Sequence, residues 1–234
     1  MSEIKIFVTH TPNRDNLLVE HPLFHPVIAG ADFQRQPVRD GVLLDNVGDN
    51  ISSKNKSYCE LTTQYWAWKN EEADYYGFCH YRRFFSFQEG ILPVDDWGVL
   101  SYPALTEQVR KELNFDEAAM RRKIENYDFL IAEGIKTEML RAKSVYDHYR
   151  KAPELHEQDI EILLAILKEK YPEIAATAEE FFAGNIFYPC NMFIMKRELF
   201  QDYSAMLFDV LEEFEKRADM SHYSREGYRT TGHL

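Results

Sequence analysis

Short apolar stretches of strand length alternate with segments of helical periodicity from Ile4 to Phe214, and this alternation restricts the chain to an α/β architecture. Ile4 to Val8 opens as a buried strand and runs into Thr9-His10-Thr11-Pro12, a loop placed to face a ligand. Up to Asn55 the chain is interrupted by Pro22, Pro26, Pro37, Gly30, Gly41 and Gly48, which leaves only short strands at Pro26 to Ala29 and Gly41 to Leu44. Ser57-x-x-Glu60 has the form of a capping box, so one helix is predicted from Ser57 to Asn70. Its Tyr58, Leu61, Tyr65 and Trp68 share a face, whereas Thr62 and Trp66 project elsewhere.

Tyr75 to Tyr81 is predicted as a buried strand that enters the basic pair Arg82-Arg83. Helices follow at Asp116 to Asn126 and Arg141 to Tyr149, with a short strand between them at Asp128 to Ala132. Within Glu157 to Tyr171 the residues Ile160, Leu163, Leu164 and Leu167 make one apolar face, and Pro172 stops the pattern. Cys190 to Met195 is predicted as a core strand, followed by a long amphipathic helix through Leu199, Tyr203, Met206, Leu207, Val210 and Phe214. With 234 residues and no repeat or linker, the expectation is a single domain over residues 1–234.

Composition removes several classes of function. A chain with 45% hydrophobic residues has material for a core, so disorder is excluded as a description. Its 27 Lys and Arg against 39 Asp and Glu leave a net charge of −12, which opposes nucleic-acid binding but leaves room for a local basic pocket. Cys59, Cys79 and Cys190 are odd in number and far apart, so a disulfide framework and a thiolate metal site are not expected and a reducing cytoplasm fits. No apolar run approaches the roughly 20 residues that span a bilayer; contact with the inner face of the membrane would be peripheral.

Phosphate-binding P-loop, dinucleotide and Gly-x-Ser-x-Gly motifs are absent. His21 and His25 have metal-ligand spacing, but the prolines around them disfavour the helix that would align both rings. Two segments carry the chemistry. The polar run from Asp45 to Asn55 can read a nucleotide or sugar with its amides and hydroxyls, or can simply hold itself together. Residue chemistry leaves both readings open. Tyr76-Gly77-Phe78-Cys79-His80-Tyr81-Arg82-Arg83 brings His and Arg to the end of a central strand, where α/β sheets bind ligands and guanidinium groups pair with phosphate. The alternative is that these arginines pair with the many surface acids.

Residues 50–70, NISSKNKSYCELTTQYWAWKN, together with YYGFCHYRRFF and YPCNMFIMKRELF, resemble the signature blocks of a bacterial domain family from capsule, exopolysaccharide and lipopolysaccharide gene clusters. SVYDHY and YSREGYRTTGHL match as well, so the resemblance runs from the first strand to the C-terminal region. It implies a GT-A-like open mixed sheet flanked by helices, with a helical C-terminal portion. It also implies transfer of a sugar, galactose or galactofuranose among the candidates, from a nucleotide-diphosphate donor such as a UDP-sugar to an oligosaccharide or lipid-linked glycan. Two departures stand out. Many GT-A enzymes carry a metal-binding Asp-x-Asp where this sequence has His80-Tyr81-Arg82, so a divalent metal is not expected. Related chains also continue beyond Gly232-His233-Leu234, which suggests a shortened C-terminus.

The expected donor contacts are Thr9, His10, Asp32, Asn50, Ser53, Asn55, His80, Arg82 and Arg83. His80 and Arg82 would offset charge on the departing diphosphate, and Asp32, Asp159 and His156 are the candidate bases. Strand alternation continued past His80 would put His80 and Arg82 on one side and Tyr81 and Arg83 on the other. Acceptor contacts are assigned to Trp66, Tyr81, Asn191, Met192, Arg225 and His233, with core packing an equal reading for Trp66 and Met192. A noncatalytic nucleotide-sugar or glycan-binding module, or a structural subunit of a synthesis assembly, is the alternative to an enzyme.

Overall fold

The computed structural model describes residues 1–14, 18–90, 92–95, 97–152 and 155–219. In chain order the strands and helices are β1 (Ile4–His10), β2 (Phe24–Ile28), β3 (Leu43–Leu44), α1 (Asn55–Tyr58), α2 (Leu61–Asn70), β4 (Tyr75–His80), α3 (Glu107–Glu112), α4 (Glu117–Glu125), β5 (Phe129–Ile131), β6 (Ile135–Lys136), α5 (Val145–Lys151), α6 (Glu157–Lys170), α7 (Pro172–Ala183), β7 (Ile186–Phe187), β8 (Phe193–Lys196) and α8 (Arg197–Arg217). Six strands form one mixed sheet in the order β3-β2-β1-β4-β8-β5. β1 pairs in parallel with β2 and β4, and β8 runs antiparallel between β4 and β5. β6 and β7 form a separate antiparallel pair.

The two-residue period of the strands sorts side chains onto the two faces of the sheet. Ile4, Ile6 and Val8 of β1 join Tyr75 and Cys79 of β4 and Ile194 of β8 on one face, covered by Met120 and Ile124 of α4. Phe7, Tyr76, Phe78 and Phe193 point the other way and meet Trp66 of α2 and Phe200 of α8. Gly77 sits where a Cβ would lie 3.0 Å from both Ile6 and Ile194, so its missing side chain lets the neighbouring strands pack across it. The Tyr76 and Phe200 rings stack with centroids 4.2 Å apart, worth about 1 kcal/mol beyond the area they bury.

α8 is 21 residues long and buries three sets of contacts. Phe200 meets the sheet, Phe208 and Leu211 meet Tyr58 and Leu61, and Val210 and Phe214 pack on α6 and α7. The shared face expected for Tyr58, Leu61, Tyr65 and Trp68 is the face that docks on α8. Pro172 follows the end of α6, as expected, but also occupies the first turn of α7, where its missing N–H costs nothing.

The single helix expected from Ser57 to Asn70 is instead two, α1 and α2, separated at Cys59, which has φ 54° and ψ −130°. Buried side chains stabilise the break. Asn55 Nδ2 donates to the Cys59 carbonyl at 2.7 Å and to Thr62 Oγ1 at 3.2 Å, while Thr62 Oγ1 donates to the same carbonyl at 3.1 Å. Asn55 in turn fits against Gly30, at φ 72°, where a Cβ would come within 2.5 Å of it. The polar run from Asp45 holds the same corner. Asp45 is fully buried and accepts from Gly30 N at 2.8 Å, Ala31 N at 2.9 Å and Ser52 Oγ at 2.6 Å.

Candidate active-site cleft

The carboxyl ends of β1 and β4 lie side by side, with Thr9 opposite His80, and the strands that adjoin β1 on its two sides are reached by chain running in opposite directions. Such a switch point opens a crevice above a parallel sheet. Here it is a cleft of about 680 Å³, within the range of small-molecule sites. Thr9 and His10 come from β1, His80 to Arg83 from the end of β4, and Asn55, Cys59, Glu60 and Leu61 from the α1–α2 corner. Phe187 to Asn191 and two α8 residues, Tyr203 and Leu207, close the remaining side.

β4 ends at His80, and the next residues turn back: His80 N donates to the Arg83 carbonyl at 3.1 Å and Arg83 N to the His80 carbonyl at 3.0 Å. Strand alternation therefore stops at His80, and Arg82 and Arg83 both line the cleft instead of dividing between two sides. The Arg82 guanidinium lies 5.0 Å from the centroid of the Tyr81 ring, and that ring stacks on His10 at 5.9 Å. Both arginines are exposed and neither makes an ion pair among the described residues.

His10 is only 4% exposed, and burial pulls its imidazole down to about 4, so the ring is neutral near pH 7. Its Nε2 is buried with no hydrogen-bond partner, at the boundary between the main cleft and a smaller cavity of about 300 Å³ walled in part by Ile28, Val38 and Val42. His80 Nε2 sits 2.6 Å from the Cys190 carbonyl oxygen, which ties β4 to the chain entering β8. Burial raises the Cys190 thiol, with Arg83 pulling it down and Glu60 pushing it up. Three wall residues, Cys59, Cys190 and Asn191, hold positive φ values of 54°, 76° and 44°, a concentration of backbone strain at one cleft.

Of the residues expected to contact donor, Thr9, His10, Asn55, His80, Arg82 and Arg83 come together here. Asp32, Asn50 and Ser53 lie outside the lining, because the loop spends its polar groups on itself: Asn46 Nδ2 donates to Asp32, and Asn50 bonds Gly48 and Ser52. Tyr81 and Asn191 line the cleft, but Trp66 packs edge-on against Phe7 and donates its indole N–H to the Val47 carbonyl at 2.9 Å. Met192 belongs to the core on the opposite face of the sheet. Asp159 is buried on α6 with the Tyr149 hydroxyl at 3.3 Å, which with its neighbour His156 puts both candidate bases away from the cleft. Arg225 and His233 lie outside the described residues.

Glu60 is what sequence reasoning missed. The capping-box pattern makes it a helix cap, yet it makes no capping bond and is the single Asp or Glu among the described residues that line the cleft. No local signal marks it, because the break at Cys59 depends on Asn55 and Thr62. Three ligating side chains of the kind that hold a metal ion do not gather anywhere among the described residues.

No curated protein matches the chain. The apo structure of WbbM, a bifunctional glycosyltransferase, superposes with a TM-score of 0.92 at 35% identity, over 99% of this chain and 40% of that one. This chain thus spans well under half the length of its structural relative, and shares with it the expected architecture of a mixed sheet flanked by helices. A family model matches residues 5–234, and the chain belongs to that family, the domain of unknown function DUF4422.

Proposed function

We propose that residues 1–234 form one glycosyltransferase domain that moves a sugar from a nucleoside-diphosphate donor to a surface-polysaccharide or lipid-linked glycan at the cytoplasmic face of the membrane. The observation that carries this reading is a pair of arginines without carboxylate partners at the carboxyl end of β4, in a cleft large enough for a nucleotide sugar. The likeness to WbbM supports it. Galactose and galactofuranose are the sugars the sequence resemblance favours, and a UDP-sugar is the donor to try first. No helix among the described residues is long and apolar enough to cross a membrane.

The donor diphosphate gains negative charge as the glycosidic bond breaks, and a guanidinium held beside it stabilises that state more than the bound substrate. Arg82 and Arg83 are placed for this. A hard divalent cation prefers several oxygen ligands, and the described cleft offers one carboxylate, with His80 Nε2 already engaged by Cys190. The donor set fits such a cation poorly, and the arginines take over its task. His10 Nε2, buried and unpartnered where the two cavities meet, is suited to a neutral hydrogen bond with the nucleoside part.

The test is a thermal-shift screen over nucleotide sugars followed by a transfer assay with and without EDTA, since a ligand that prefers the native state raises its melting temperature. Stabilisation by one donor and EDTA-insensitive transfer or donor hydrolysis is the expected result. Saturable binding without turnover would favour the noncatalytic module, and absence of binding would sink both.

A further inference from the structure

We propose that Glu60 is the base that takes the proton from the acceptor hydroxyl, and that transfer therefore proceeds with inversion at the anomeric carbon. The proposal rests on the glycosyltransferase reading above and adds to it the reacting group on the acceptor side. Asp32 is hydrogen-bonded to Asn46 outside the lining, Asp159 is buried against Tyr149 on α6, His10 is buried and stacked on Tyr81, and His80 is held to the Cys190 carbonyl through Nε2. Glu60 remains as the carboxylate at the cleft wall among the described residues.

Its placement is specific. A continuous helix from Ser57 would have left Glu60 on a helical surface, bonded to its own helix start. The turn at Cys59, with a backbone conformation that strongly favours glycine, puts Glu60 at the head of α2 without a capping bond and beside the ligand space. No described side chain pairs with it, and Arg82 and Arg83 line the same cleft. A carboxylate left unpaired in a cationic cleft is available to a substrate proton.

In the step, the acceptor hydroxyl oxygen forms a bond to the anomeric carbon while its proton passes to the Glu60 carboxylate. The bond from that carbon to the donor diphosphate breaks, and its electron pair leaves on the diphosphate oxygen, where Arg82 and Arg83 offset the charge. One displacement from the side opposite the leaving group inverts the configuration.

Glu60→Gln, Glu60→Asp and the unaltered protein would be assayed with the donor found by the screen, measuring kcat, donor KM, donor-induced melting shift and the anomer of the product. We expect Glu60→Gln to lower kcat by about 10²–10⁴-fold with donor KM and the melting shift little changed, Glu60→Asp to recover part of the loss, and the product anomer to be inverted. A folded Glu60→Gln protein with ordinary kcat overturns the proposal. So does retention of configuration, which would need a nucleophile in place of a base, or a loss that lies in donor KM and is restored by added divalent metal, which would make Glu60 a ligand. Inactivity of the unaltered protein with every nucleotide sugar would instead overturn the glycosyltransferase reading, and Glu60 with it.

Discussion

The imidazole Nε2 of His80 lies 2.6 Å from the carbonyl oxygen of Cys190, a residue 110 positions further along the chain. A carbonyl can only accept, so Nε2 carries the hydrogen and Nδ1 is the ring nitrogen left for other contacts. The bond joins the end of β4 to a segment in which Cys190 and Asn191 both have positive φ. It fixes a strained wall.

His80→Ala should therefore cost about 1 kcal/mol of stability for the lost hydrogen bond, together with a larger fall in donor affinity as the Cys190 wall loosens. Urea denaturation and donor titration check the two effects separately. Unchanged donor affinity would show that the wall keeps its shape without His80.

Arg82 should be more sensitive to removal than to a change of cation. Arg82→Ala is expected to lower kcat by about 10²–10³-fold, the scale of losing one donor to a developing anion. Arg82→Lys should keep part of this, because an ammonium supplies charge without the two-pronged geometry of a guanidinium. Steady-state kinetics of both folded variants decide the matter; equal activity in the three proteins would remove Arg82 from the mechanism.

His10 predicts acid sensitivity. Its imidazole is held at about 4 in the folded protein against an ordinary value of 6.5, so between those values the unfolded chain binds a proton that the folded chain refuses. Stability is complete above pH 6.5 and falls as pH drops toward 4, by up to about 1.4 kcal/mol per pH unit. Burial lowers His21 and His25 in the same direction, so they add to the slope. His10→Phe keeps a ring against Tyr81 and removes the unpartnered nitrogen. We expect it to flatten the decline without loss of stability at pH 7, as followed by urea melts from pH 7 to 4.5; an unchanged slope would contradict the assignment.

Cys59 predicts an order of stability between two small replacements. At φ 54° and ψ −130° an alanine keeps the steric cost of a Cβ and a glycine does not. Cys59→Gly should be more stable than Cys59→Ala by about 1 kcal/mol in matched denaturation curves, the low end of the cost of such a conformation. The reverse order would mean that the turn relaxes when Cys59 is changed.

What the sequence determined by itself is local in origin. The alternation of Ile4, Ile6 and Val8 with Phe7, and of Tyr76 and Phe78 with Cys79, assigns each residue a face before any partner is known, because strand geometry repeats every two residues. The helical stripe of Tyr58, Leu61, Tyr65 and Trp68 and the long amphipathic α8 were legible for the same reason, and so were the arginines at the end of β4. Tertiary structure decided the rest. The strand order, the break at Cys59, the retreat of Trp66 into the core and the Asp45 clamp on Gly30 and Ala31 all depend on groups that meet only after the sheet has formed. Glu60 belongs with them: a capping box is a prediction about one isolated helix, and buried bonds from Asn55 and Thr62 to the Cys59 carbonyl outweighed it, turning an expected structural carboxylate into part of the cleft.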